Sequence, residues 1–149
     1  MKYTVEVTKE YTKWFKEGTN VRHRTDGPAI EYANGIKFWY LNGQRHRTDG
    51  PAIEWADGAK EWYLNGQRHR TDGPAIEYAD GSKYWWFNGQ LHRTDGPAVD
   101  CADGTKEWHL NGKNYSEKNF LKKVKELSSP SCDGKIVEIE GKKYKLTEV

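Results

Sequence analysis

The sequence predicts a mainly β protein: an elongated, single-layer antiparallel sheet of stacked hairpins, then one C-terminal helix and a terminal β-hairpin. Three observations carry this expectation. The stretch "RHRTDGPAIEY" at 22–32 returns as "RHRTDGPAIEW" at 45–55, as "RHRTDGPAIEY" at 68–78 and, altered, as "LHRTDGPAVDC" at 91–101, a period of 23 residues without slippage. Each copy carries two turn signals flanked by β-branched and aromatic residues. Aromatic residues make up 13% of the 149 residues, with 7 Trp and 9 Tyr, while mean hydropathy is −1.04. Disordered chains are poor in aromatics, so most of this one is ordered. With few aliphatic residues, rings must supply the packing, which suits a thin architecture.

The length fits one domain with a small appendage. We divide it into a worn N-terminal capping repeat (1–22), four repeats (23–114) and a helix-plus-hairpin cap (115–149). In the first part, "YTKWFKEG" at 11–18 resembles "SKYWWFNG" at 82–89. Terminal repeats depart from the consensus because they close the stack.

Within a repeat, Asn34-Gly35 becomes Asp57-Gly58, Asp80-Gly81 and Asp103-Gly104. These dipeptides favour type I′ hairpin turns, which need positive φ at both central positions. A two-residue turn there pairs Ile30 with Trp39 and Pro28 with Leu41 on one face. Ala29, Glu31 and Ala33 then share the other face with positions 36, 38 and 40. This register sets Glu54 opposite Glu61, a destabilising like-charge pair, whereas a three-residue loop with a bulge would swap the faces. Ile–Trp is a good cross-strand pair, which favours the two-residue loop. The second turn signal, Asn42-Gly43, carries the chain toward the next hairpin, and Pro28 opens a strand, where proline is tolerated.

After residue 114 the period breaks. "SEKNFLKKVKEL" (116–127) predicts a helix capped by Ser116, with Phe120, Leu121, Val124 and Leu127 on one apolar face. "SSPSCDG" reads as a loop, and 135–149 alternates on either side of Gly141 as a hairpin would. The helix is expected to cover the end of the sheet and remove an open edge.

Charge is nearly balanced, 24 basic against 22 acidic residues, and gives no compositional case for a nucleic-acid binder. Two cysteines, Cys101 and Cys132, do not make a disulfide framework. No apolar run reaches membrane-span length and the start lacks a signal-peptide core. The expected setting is the cytoplasm of the cell that makes the protein.

The stretch "EWYLNGQRHRTDGPAIEYADG" resembles MORN-type repeats in period, in its Trp/Tyr strand, in Asn-Gly and in its Asp-Gly turn. The similarity spans about residues 11–112; where that family has His-Gly-x-Gly, this chain has His-Arg-Thr-Asp-Gly-Pro. The resemblance implies single-layer stacked hairpins and a role as scaffold or partner-binding surface, with membrane or lipid roles suggested for some members. Similar "HRxDGPA" repeats look like those of uncharacterised phage and large-DNA-virus proteins. That likeness implies host-cell cytoplasm and a host factor as the inhibited partner.

Candidate sites divide by whether they repeat. His, Thr and Asp of the motif could be written as a nucleophile triad, but four identical sites suit a building block better than an enzyme. A His ladder at 23, 46, 69 and 92 is spaced by two strands, about 10 Å, too far for one ion at about 2 Å per Zn–N bond. The expected role is structural: Asp26 and its equivalents accept backbone N–H bonds in the turn, while His and Arg bond neighbouring carbonyls or the next repeat's Asp. Trp39, Trp62, Trp85 and Trp108 are expected in the core. The variable stripe Tyr40, Tyr63, Trp86 and His109, flanked by Phe38 and Tyr84, is the candidate partner-binding surface, since exposed Tyr and Trp suit protein interfaces. With Arg45 and Arg68 it would also suit base stacking, the less favoured reading. Lys122 and Lys125 on the helix join the candidate surface; a solvated face explains its lysines equally well. Phosphate loops and cysteine metal spacing are absent from the sequence, so no catalysis, cofactor or metal is expected, and a single hairpin needs neighbours to be stable.

Overall fold

The computed structural model describes residues 2–128 in full and the backbone of the strands Ile136–Ile139 and Lys142–Lys145. It forms two units, Met1–Tyr115 and Ser116–Val149.

The first unit is an open antiparallel sheet of 11 strands. Tyr3–Val7 forms one edge, Lys113–Tyr115 the other, and each repeat adds two strands between them. The Asp-Gly hairpins form its main row: Ile30–Tyr32 pairs with Lys37–Phe38, which pairs in turn with Ile53–Glu54 of the next repeat. The Asn-Gly segments form a second row of tight hairpins, Tyr40–Leu41 with Gln44–Arg45 and their equivalents. The Gly66 amide on the Arg45 carbonyl ties this row to the next copy, and within a copy the Arg47 amide bonds the Tyr63 carbonyl.

The observed register corrects the two-residue expectation. Ile30 faces Phe38, not Trp39, and Glu31 faces Lys37. The loop 33–35 has three residues: the Tyr32 amide bonds the Ile36 carbonyl, and Gly35 alone has positive φ, at 91°. That is a turn followed by a left-handed bulge residue. Type I′ geometry lies instead at Asn42-Gly43, with φ of 50° and 81°, where Leu41 faces Gln44 across two residues. The physical reason is charge. In the three-residue register Glu54 faces Lys60, and Glu31, Lys37, Glu54, Lys60, Glu77, Lys83, Asp100 and Lys106 alternate in sign across the strands of the four Asn/Asp-Gly hairpins. Opposite charges in directly facing positions stabilise each strand pair.

Burial follows the repeat. Ala29, Ala52, Ala75 and Ala98 are fully buried, and beside them Ile30, Ile53, Ile76 and Val99 are at most 4% exposed. Tyr40 and Phe38 pack on the first of these clusters, Tyr63, Phe38 and Trp39 on the second. The core is thus one Ala–Ile step per copy, roofed by rings.

The N-terminal segment takes the place of a further copy with a longer loop. Phe15 bridges Arg22 as Tyr40 pairs with Arg45, and the His23 amide bonds the Trp14 carbonyl as His46 bonds Trp39.

In the second unit a helix, α1, spans Glu117–Ser128. Ser116 Oγ accepts the Asn119 amide at 3.4 Å, the N-cap bond. Phe120 is buried and Val124 half-buried, whereas Leu121 and Leu127 are exposed, so the apolar face is narrower than its spacing suggested. Ile136–Ile139 and Lys142–Lys145 pair as an antiparallel hairpin with Ile139 facing Lys142. Cys132 lies outside the described residues. No helix among the described residues is long and apolar enough to cross a membrane.

Candidate functional site

The repeated motif is a latch between neighbouring copies. Arg47 Nε donates to Asp49 at 2.9 Å, and Nη1 donates to the Pro51 carbonyl and to Glu54, both at 3.1 Å. Its guanidinium lies 4.1 Å from the ring centre of Trp39 in the preceding copy. Arg24 on Trp14, Arg70 on Trp62 and Arg93 on Trp85 repeat that stacking at 4.0, 3.9 and 3.9 Å. A desolvated cation–π contact is worth about 0.5–2 kcal/mol. The Gly of the motif leaves room for the arginine: a Cβ on Gly50 would stand 2.9 Å from Arg47 Cζ. Every letter of Arg-Thr-Asp-Gly-Pro-Ala-Ile-Glu except Thr thus has a place in the latch or the core beneath it.

Two expectations about this motif are corrected. Asp26, Asp49, Asp72 and Asp95 accept chiefly from the arginine side chain, with a backbone amide the lesser partner. The backbone-amide role falls to the hairpin loops, where Asn34, Asp57, Asp80 and Asp103 accept the amide two residues on, because a side chain that short reaches its own turn most easily. His23, His46, His69 and His92 place Nδ1 at 3.0–3.2 Å from the backbone nitrogen of Asn42, Asn65, Asn88 or Asn111, 19 residues on in the same copy. The histidine that opens each copy therefore holds that copy's own type I′ turn. Hydrogen bonding to the arginines keeps the carboxyls of Asp26, Asp49, Asp72 and Asp95 below their ordinary range.

Between successive motifs lie three equivalent clefts of about 570, 530 and 530 Å³. The middle one has Trp62 and Leu64 as its floor, His69 beside them, and the Thr48-Asp49 and Thr71-Asp72 ridges as walls. The carboxylates stand out from the ridges, with the Asp49, Asp72 and Asp95 side chains 80, 78 and 78% exposed, above arginines that are 20–22% exposed. We call this side of the sheet the groove face. It also carries the Glu/Lys ladder, since 31, 37, 39 and 41 alternate with 30, 38 and 40.

The opposite, aromatic face bears the variable positions. Tyr40 (9% exposed), Tyr63 (6%) and His109 (7%) are buried, which corrects their placement on an exposed stripe. Arg22 lies over Tyr40, and Arg45 and Arg68 over Tyr63. The Tyr63 hydroxyl donates to Glu61, itself 8% exposed and bonded by Arg68 and the Trp55 indole. Burial, then the Glu61 charge, pushes the Tyr63 phenol up. Trp86 is half-buried, and its indole nitrogen and His109 Nδ1 are buried without hydrogen-bond partners among the described residues. His109 Nε2 sits 2.8 Å from Glu107 and 3.2 Å from Asn114. Phe38 and Tyr84 are half-buried; Tyr84 stands 3.5 Å from Cys101 Sγ, and that bond pushes its phenol up to about 12. Lys122 and Lys125 are exposed on α1. The Trp39 series, expected in the core, is half-buried on the groove face, with Trp39, Trp62 and Trp85 beneath arginines.

What the surface does expose is a row that sequence reasoning missed. Trp55 and Tyr78 are 37 and 45% exposed and join their neighbours edge-on: Tyr32 to Phe38 at 6.1 Å, Phe38 to Trp55 at 5.7 Å, Tyr78 to Tyr84 at 5.5 Å. The three-residue register would have found them, because it sets 32, 55 and 78 on the same face as 38 and 84. Among the described residues no group of three or more His, Cys, Asp or Glu could hold a metal ion. No family profile, curated protein or solved structure matches the chain.

Proposed function

We propose that the chain is a non-enzymatic, MORN-like repeat scaffold that binds a protein partner, with a host-cell factor as the partner class its viral and phage resemblance implies. The observation that supports this best is the row Tyr32, Phe38, Trp55, Tyr78 and Tyr84. Its rings meet edge-on in two groups, Tyr32–Phe38–Trp55 and Tyr78–Tyr84, and Trp55 and Tyr78 present large exposed surface. Rigid rings on a hydrogen-bonded sheet offer contact area at small conformational cost, and Tyr and Trp dominate the energetics of protein interfaces. The base-stacking reading has less support: Tyr63 is buried under two guanidinium groups and bonded to Glu61, so its face has no room for a base.

The test is capture by the tagged protein from lysate of its natural host, with nuclease, beside the double variant Trp55→Ser/Tyr78→Ser. The expected result is a stoichiometric protein that survives nuclease and is lost with the variant, while the variant melts within a few degrees of the parent. Equal capture by the variant, or capture abolished by nuclease, would sink the proposal.

A further inference from the structure

We infer that the three clefts of the groove face bind a proline-rich segment in the polyproline II conformation, with Lys or Arg at every third position. The surface is the reverse of the one bearing Trp55 and Tyr78, so the inference stands apart from the reading above.

The argument begins with spacing. Each repeat contributes two strands to the sheet, so equivalent points recur about every 9.6 Å, from about 4.8 Å per strand. Asp26, Asp49, Asp72 and Asp95 are such points, one on each ridge. A polyproline II helix has three residues per turn and rises about 3.1 Å per residue, so its positions i and i+3 share a face about 9.3 Å apart. Over three steps the mismatch is about 1 Å, within reach of a flexible Lys or Arg. Other backbones fit less well. A β-strand rises about 9.9 Å in three residues, but alternation turns i+3 to the opposite side. In an α-helix 9.6 Å corresponds to about 6.4 residues, which is no whole number of turns, and its side chains walk off the row.

The chemistry agrees with the spacing. The floor of each cleft is an indole, Trp39, Trp62 or Trp85, with Leu41, Leu64 or Phe87 beside it, and aromatic-lined grooves are what proline-rich segments dock into. Proline leaves backbone carbonyls without local partners, and the exposed Thr48, Thr71 and Thr94 on the walls can donate to them. Each arginine Nε bonds one oxygen, Oδ1, of its aspartate, and the Asp side chains are 78–80% exposed, which leaves the other oxygen open to a cation of the ligand. Three weak subsites in a row become useful only when one ligand spans them in register.

The test is fluorescence anisotropy with labelled (Pro-Pro-Arg)4 and a second peptide of the same composition whose four Arg are grouped at one end. The periodic peptide is expected to bind on the order of tenfold more tightly or better. The double variant Thr48→Lys/Thr71→Lys, which alters exposed wall residues outside the latch, should lose most of that binding and melt as the parent does. Asp49→Asn/Asp72→Asn keeps the oxygen that each arginine Nε bonds, and should weaken binding by a similar factor. Trp55→Ser should leave it unchanged. No binding of the periodic peptide, equal binding of both peptides, or unaltered binding by the Thr and Asp variants would overturn the inference.

Discussion

The two faces of the sheet are built from the same 23-residue unit and differ in how much the copies may differ. On the groove face Arg, Asp, Gly, Pro and Ala are the same in all four motifs, and the Trp beneath each Arg belongs to the preceding copy. On the aromatic face positions 36, 38 and 40 read Ile, Phe, Tyr in one copy and Ala, Glu, Tyr, then Ser, Tyr, Trp, then Thr, Glu, His in the following ones. The difference follows from geometry. Each arginine joins an Asp, a Pro carbonyl and in most copies a Glu of its own copy to a Trp across the boundary, so a change of that Arg or Trp must be matched next door. Side chains meeting edge-on over an Ala–Ile step can be exchanged singly. The fourth copy shows the limit: Asp100 stands where the others have Glu, and Arg93 keeps Asp95 and the Pro97 carbonyl. Repeat stability is a sum of nearest-neighbour terms, and the Arg–Trp contact adds a side-chain term to the strand pairing that couples successive copies.

The largest effect should come from breaking one latch. Arg70→Ala removes the cover of Trp62 and the partners of Asp72, Glu77 and the Pro74 carbonyl. Deleting one partner of a half-buried ionic network costs about 3 kcal/mol, read as a lower urea midpoint. Arg70→Lys keeps the charge but not the planar fork, and should recover less than half of the loss. Tyr78→Ser on the aromatic face, 45% exposed, should cost under about 1 kcal/mol. Equal losses at 70 and 78 would end the distinction between the faces.

The sheet, the helix and the terminal hairpin were legible because each is written locally, in alternation, in a cap and in a period. Register was not, since Asn34-Gly35 and Asn42-Gly43 are the same dipeptide eight residues apart and fold differently. The first sits in a three-residue loop where only the glycine is left-handed, the second in a two-residue turn where both residues are. The deciding signal lay in the like-charge pair Glu54–Glu61, which a shift of one residue replaces by Glu54–Lys60. That single shift also exchanged the faces, hid Tyr63 and His109, and brought out Trp55 and Tyr78. The Arg–Trp latch was beyond local rules because it joins Trp39 to Arg47 across a turn and a copy boundary.

The two turns give an intermediate and oppositely signed effect. Asn65 has φ of 50°, and Ala in that conformation costs about 1–2 kcal/mol. Asp57 is not left-handed, and its Ala variant loses one bond to the Ala59 amide, at a cost of about 0.5 kcal/mol at an exposed site. Glycine separates them. Asn65→Gly should be more stable than Asn65→Ala, because glycine adopts positive φ without strain. Asp57→Gly should be less stable than Asp57→Ala, because there glycine brings only added unfolded-state entropy. The four thermal midpoints check the ordering, and the same sign at both positions would contradict the assigned turns.

The smallest effects are in pH, and the faces should show them at opposite ends. Groove-face Asp carboxyls are lowered by the arginine bonds. Their contribution is therefore complete above the unfolded value, near 3.9, and is lost as pH falls through the folded one. On the aromatic face Tyr84 is raised to about 12, first by its bond to Cys101 and then by burial. The folded state keeps that proton while the unfolded chain releases it from about 10 upward, so this contribution is complete below pH 10 and is lost between there and 12. Melting temperature against pH should thus fall in two separate arms. Tyr84→Phe should flatten the alkaline arm alone, and Asp49→Asn/Asp72→Asn the acid arm alone. A variant that moved both arms would show that the two faces titrate as one coupled network rather than as the independent surfaces their hydrogen bonds define.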